Sequence, residues 1–128
     1  KLAGMTVLLC EDHPVNTDLI KLILENSDIN TVCAGNGREG IDIFSSSAIG
    51  HFDAVIMDIC MPFMDGIEAT KAIREMDRED AKKVPVIAMT ANVFHEDREK
   101  LFEAGMTGFL SKPVDVEMLF KTLEEQCM

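Results

Sequence analysis

Five short apolar runs, each followed by an amphipathic stretch, constrain this chain more than any other feature. Met5–Cys10, Ile29–Ala34, Phe52–Met57, Val84–Met89 and Thr107–Leu110 have strand length and mostly apolar composition, which reads as strands covered on both faces. Between them the apolar period becomes helical. Pro14 suits a first helical turn, and Val15, Leu19, Leu22 and Ile23 share one face of the helix after it, with Asp18, Lys21 and Glu25 elsewhere. The spacing predicts further helices over Gly37 to about Ala48, with Ile41 and Phe44 inward, and over the segment carrying Ile67, Ile73 and Met76. It predicts two more over Asn92–Ala104, stopped by Gly105, and over Val114 to about Gln126 through Val116, Leu119, Phe120 and Leu123. Pro85 sits near the start of the fourth strand, where a missing N–H is tolerated.

Strands alternating with helices argue for a parallel sheet with helices on both faces, joined by right-handed crossovers. Five strands are too few for a closed eight-stranded barrel. The expected fold is therefore α/β, a flavodoxin-like doubly wound five-stranded parallel sheet in the order 2-1-3-4-5. The 128 residues fit a single domain. The chain begins at Lys1 rather than Met, which reads as a fragment, with residues 1–4 as vector or linker sequence.

Charge narrows the partners. Twelve Lys and Arg stand against 23 Asp and Glu, a net charge of −11, and such a surface repels the phosphates of nucleic acid. It suits a metal cation or a basic partner patch. Cys10, Cys33, Cys60 and Cys127 form no CxxC pair and have no His cluster nearby, so no zinc site is expected. Scattered free thiols imply a reducing, cytosolic setting, with the parent chain open to membrane anchoring elsewhere. No apolar run is long enough to span a bilayer and no signal peptide is visible, so no membrane contact by this domain is expected.

In an open α/β sheet, ligands bind beyond the carboxyl ends of the strands. The residues following the strands are Glu11 and Asp12, then Asp58, Thr90, and Ser111 with Lys112. The second strand, expected at an edge, is followed only by Gly35 and Asn36. The strand order makes the first and third strands neighbours, about 4.8 Å apart, so Asp12 and Asp58 face each other across a small gap. Carboxylates at that range repel, and a hard divalent cation relieves the repulsion. Mg²⁺ binds through one or two carboxylates, waters and phosphate oxygens. Asp12 and Asp58 are read as direct ligands, Glu11 as acting through water, and the backbone carbonyl of Cys60 as a third protein ligand. Asp58 is then a carboxylate nucleophile for phosphoryl transfer. Lys112 supplies a cation opposite the metal, and the Thr90 hydroxyl a hydrogen bond. His13, His51 and His95 have no companions suggesting metal or nucleophilic work and read as surface residues.

Glu11-Asp12, Asp58 followed by Met61-Pro62-Phe63-Met64-Asp65-Gly66, Thr90-Ala91 and Lys112-Pro113, in this order and spacing, resemble the receiver domain of two-component response regulators. The resemblance covers Thr6 to about Leu123. Pro14-Val15-Asn16, Thr90-Ala91-Asn92 and the run Gly105–Pro113 further resemble receivers appended to hybrid sensor histidine kinases. The resemblance implies a phosphoacceptor in a phosphorelay that takes a phosphoryl group from phosphohistidine onto Asp58 with Mg²⁺ and then switches conformation. It implies that Thr90 shifts toward the phosphoryl group, that Phe109 turns inward behind it, and that the Lys112–Pro113 bond is cis. Phe109 departs from the Tyr of many members, so any switch here works by packing alone.

The implied partner is a histidine kinase or histidine phosphotransfer domain, docking on a rim of His13, Pro14, Val15, Phe63 and Pro113. A small phosphatase with an Asp nucleophile is the competing reading. That chemistry wants an acid two residues after the nucleophile, where this chain has Cys60. A nucleotide-binding domain would need a GxGxxG or GxxxxGK string, and neither occurs.

Overall fold

The computed structural model describes residues 2–61, 64–91 and 98–127. Five parallel strands, β1 (Thr6–Cys10), β2 (Asn30–Ala34), β3 (Ala54–Asp58), β4 (Val86–Thr90) and β5 (Gly108–Ser111), form one sheet in the order β2-β1-β3-β4-β5, as expected. The helices are α1 (Pro14–Glu25), α2 (Gly37–Ser46), α3 (Gly66–Arg74), α4 (Arg98–Ala104) and α5 (Val116–Cys127), with an unforeseen 3-10 turn at Asp80–Lys82.

Alternation along the strands builds two cores. Leu8, Val55, Met57, Val86 and Ala88 face α2, α3 and α4, where they meet Phe44, Ala69, Ile73 and Leu101. Val7, Leu9, Ile56, Ile87 and Met89 face α1 and α5, where they meet Ile20, Leu24, Leu119 and Leu123. Each Val, Leu, Ile, Met or Phe side chain so removed from water stabilises the fold by about 1.5–3 kcal/mol before chain entropy is counted.

Local signals set the helix ends. The side chains of Asn36 and Asp65 accept hydrogen bonds from the N–H groups of Glu39 and Glu68, capping α2 and α3. Gly105 ends α4 at φ +109°, a conformation that favours glycine. The N–H groups of Gly105 and Met106 donate back to the carbonyls of Phe102 and Leu101.

Two packing expectations fail. Val15, Leu19 and Leu22 are 67%, 50% and 59% exposed, while Ile20 and Leu24 are buried and Ile23 packs beside them. Apolar residues cover more than half of the circumference of α1. The sheet accepts only one stripe of it, rotated from the one expected. Val116 is likewise exposed at the first turn of α5. The first part of the helix expected over Asn92–Ala104, including Asn92 and His95, lies outside the described residues, as does Phe63. Leu2 packs into the α1–α5 core and the Gly4 N–H donates to the Asp28 carbonyl. Among the described residues no helix is long and apolar enough to cross a membrane.

Candidate functional site

Strand ends deliver the site. Register pairs Cys10 with Met57, so the residue after β1, Glu11, comes level with Asp58 at the last position of β3. The Ile59 N–H donates to the Met89 carbonyl and the Lys112 N–H to the Thr90 carbonyl, carrying the ladder one step past the strands. Thr90 ends β4, and Lys112 follows β5 before a cis bond to Pro113.

Asp58 is 1% exposed. The Cys60 N–H donates to its Oδ1 at 3.0 Å, and the Lys112 ammonium donates to its Oδ2 at 2.8 Å. The same Lys112 Nζ lies 3.5 Å from Glu11 Oε2. Glu11 is 2% exposed, and its Oε1 accepts the His13 N–H at 3.1 Å. Asp12 stands exposed at the rim. One carboxylate oxygen from each of Glu11, Asp12 and Asp58 falls within 4.8 Å of the others, a group that could hold a metal ion.

The electrostatics follow from the crowding. Burial, and then the neighbouring Asp58, push the Glu11 carboxyl up to about 7, against the opposing pull of the His13 N–H and Lys112. Burial alone would lower Lys112, but the hydrogen bond and charge of Asp58, with Glu11, outweigh it and raise its pKa. Glu11 Oε2 is buried and makes no hydrogen bond, its charge being met by the Lys112 ammonium 3.5 Å away. A buried carboxylate oxygen without a hydrogen bond is costly. A hard cation would satisfy it, and the all-oxygen donor set suits Mg²⁺ in chemistry and in charge.

The response regulator receiver domain family matches residues 7–124. The chain belongs to the response regulator receiver domain family.

Three relatives place the receiver more closely. Hybrid signal transduction histidine kinase I of Dictyostelium discoideum is 34% identical over 122 residues, covering 94% of this chain. The chain spans only 7% of that kinase's length. The receiver domain of a Pseudomonas aeruginosa sensor histidine kinase, whose structure carries a magnesium ion in the active site cleft, is 34% identical with a TM-score of 0.86, covering 98% of each chain. A chain of the Saccharomyces cerevisiae complex between the histidine phosphotransfer protein Ypd1 and the receiver domain of Ssk1 is 27% identical with a TM-score of 0.85, covering 99% of this chain and 91% of that one.

The receiver fold thus brings together Glu11, Asp12, Asp58, Thr90 and Lys112, and the amide of Cys60. Phe109 is half-buried and stands edge-on to Phe102, ring centroids 5.2 Å apart. Asp65 caps α3 rather than joining the acids.

Two positioning residues were not read from sequence. The Thr17 hydroxyl donates to the carbonyls of Glu11 and His13, tying the acidic loop to α1. Gly66 lies directly under the β3 terminus: a Cβ there would meet the Asp58 carbonyl oxygen and come within 2.8 Å of Ile59 Cα. The Asp65-Gly66 pair carried a turn signal, but not this close approach.

Proposed function

We propose that Asp58 accepts a phosphoryl group from a phosphohistidine of a histidine kinase or histidine phosphotransfer domain, and that the resulting change of conformation carries the signal. The observation that supports this most is the state of Asp58, buried yet held at both oxygens by Cys60 N–H and the Lys112 ammonium, beside two further carboxylates.

An Asp58 carboxylate oxygen attacks phosphorus in line. The P–N bond to the donor imidazole breaks, its electron pair leaves with the ring nitrogen, and a P–O bond forms, giving an acyl phosphate. Lys112, already paired to Oδ2, turns its charge to the arriving phosphoryl oxygens, and the Thr90 hydroxyl donates to one of them. Asp12 and Asp58 would hold Mg²⁺ directly, Glu11 through water, and Cys60 through its carbonyl; the ion supplies charge neutralisation. Phe109 then follows Thr90 inward. Cys60 has no carboxyl group to protonate a leaving alcohol, so the chain is a phosphoacceptor rather than a phosphatase.

The donor docks beside the acids. Val15, Leu19 and Leu22 form an exposed apolar stripe on α1, continuous with the rim at His13, Pro14 and Pro113. Residues 1–128 act as one receiver unit of a cytoplasmic hybrid kinase segment, without direct nucleic-acid contact.

Intact mass after incubation with Mg²⁺ and a small acyl phosphodonor tests the acceptor. A single Mg²⁺-dependent phosphoryl adduct, lost in Asp58→Ala, is expected. No adduct from either that donor or a phosphohistidine protein, with folding intact, would overturn the reading.

A further inference from the structure

The buried stripe of α1 begins with a polar residue. Asn16 stands one turn before Ile20 and two before Leu24 on the same helical face, yet only Ile20 and Leu24 lie in the core, and Asn16 is half-buried. Its side chain hydrogen-bonds to none of the described residues. Instead it lines a cavity of about 50 Å³ between α1 and the turn from β5 to α5, beside the phosphoacceptor site. Leu19, Met89 and Val114 give that cavity apolar walls, and Glu11 and Lys112 give it charged ones.

Volume and lining decide what fills such a space. A wholly apolar cavity stays dry, whereas a water needs room of ~10–15 Å³ and two to four polar partners. The cavity beside Asn16 has that room and offers an amide, a carboxylate and an ammonium. Glu11 Oε2 is buried and makes no hydrogen bond. Of the three donors on an ammonium, Lys112 Nζ gives one to Asp58 Oδ2 at 2.8 Å, and Glu11 Oε2 stands 3.5 Å from it. A water in the cavity accepts from the Asn16 amide and donates to Glu11. Hydrating Glu11 in this way weakens its pull on Lys112, and the ammonium stays on Asp58.

We propose that Asn16 is a positioning residue for phosphoryl transfer, holding a buried water against Glu11 so that Lys112 remains aimed at Asp58 and at the phosphoryl oxygens arriving there. This role rests on the reading of Asp58 as the phosphoacceptor; the water site does not.

A high-resolution crystal structure of the full chain, and its phosphorylation by a small acyl phosphodonor with Mg²⁺, test the proposal. Wild type should show a water within hydrogen-bond distance of Asn16 and Glu11. Asn16→Leu, which fills the space without a polar atom, should displace it and slow adduct formation at Asp58 by up to about tenfold. Asn16→Ser keeps a hydroxyl and should lose less. The ¹⁵N signal of the Lys112 ammonium should move in Asn16→Leu, which a loss of stability alone would not cause, and urea unfolding will show that both variants fold. A small donor bypasses docking on α1. Slowing confined to transfer from a phosphohistidine protein would therefore make Asn16 a docking residue and overturn the proposal. A dry cavity in wild type, or equal rates in all three proteins, would do the same while leaving the phosphoacceptor reading intact. No adduct in wild type would overturn the reading and the positioning role together.

Discussion

Replacing Glu11 with Gln is expected to abolish a pH dependence of stability that the site imposes on the metal-free protein. In the unfolded chain Glu11 titrates at its ordinary value of 4.5, while burial beside Asp58 raises it to about 7 in the fold. Between these values the unfolded chain has lost a proton that the folded chain keeps. Folding stability contributed by this group is therefore complete below about 4.5 and is lost as pH rises through about 7. The full loss is about 3 kcal/mol, of which about 2 kcal/mol falls between about pH 5.5 and 8. The other shifted groups do not titrate there. Lys112 and the buried thiols are raised from values that are already alkaline, and Asp80 is lowered from an acidic one. Urea unfolding followed by circular dichroism with a chelator present, at about pH 5.5 and 8, reads the difference. Wild type should lose about 2 kcal/mol and Glu11→Gln almost none, so the variant is the more stable protein at the higher pH. A flat wild-type profile, or the same fall in the variant, would refute the account of Glu11 as a buried acid crowded by Asp58.

Lys112→Ala removes the cation 2.8 Å from Asp58 and leaves three clustered carboxylates. Phosphoryl transfer should slow by about 10²-fold while Mg²⁺, followed by amide shifts, binds more tightly; weaker Mg²⁺ binding would contradict the electrostatics. Gly66→Ala drives a methyl into the Asp58 carbonyl and Ile59 Cα. It should cost about 1–3 kcal/mol and depress the adduct yield at Asp58, whereas an unaffected yield would show that the β3 terminus gives way freely. Arg78 pairs with Asp80 at 2.8 Å, donates to the carbonyls of Phe44, Ser45, Ser47 and Ala48, and lies over the Phe44 ring. Arg78→Met should therefore destabilise by about 3–5 kcal/mol in urea unfolding, and a cost under about 1 kcal/mol would mean that those carbonyls find water instead.

Much of the site was legible because parallel α/β architecture converts sequence position into location. A residue just past a strand lies at one end of the sheet whatever its neighbours do. Asp58, Thr90 and Lys112 could thus be grouped before any contact was known. The burial of the first two acids was less legible. Glu11 is the buried acid beside Lys112, while Asp12 stands exposed at the rim. A one-residue step at the end of β1 decides which acid turns inward, and strand register is a tertiary property.

The sequence by itself determined the order of strands and helices, the strand order, the stop at Gly105 and the end of the sheet where chemistry collects. These follow from local periodicity, backbone preference and the handedness of crossovers, none of which needs a distant partner. Tertiary structure alone decided which stripe of α1 is buried. Ile20 and Leu24, and Leu19 and Leu22, are equally apolar, and only the surface offered by β1, β2 and α5 selects between them. It also decided the Arg78 clasp between α2 and the loop after α3, and the burial of Glu11 beside Asp58 and Lys112. Each of these arises from groups distant in sequence meeting where water is excluded, and there the energies of pairing and of failing to pair are largest.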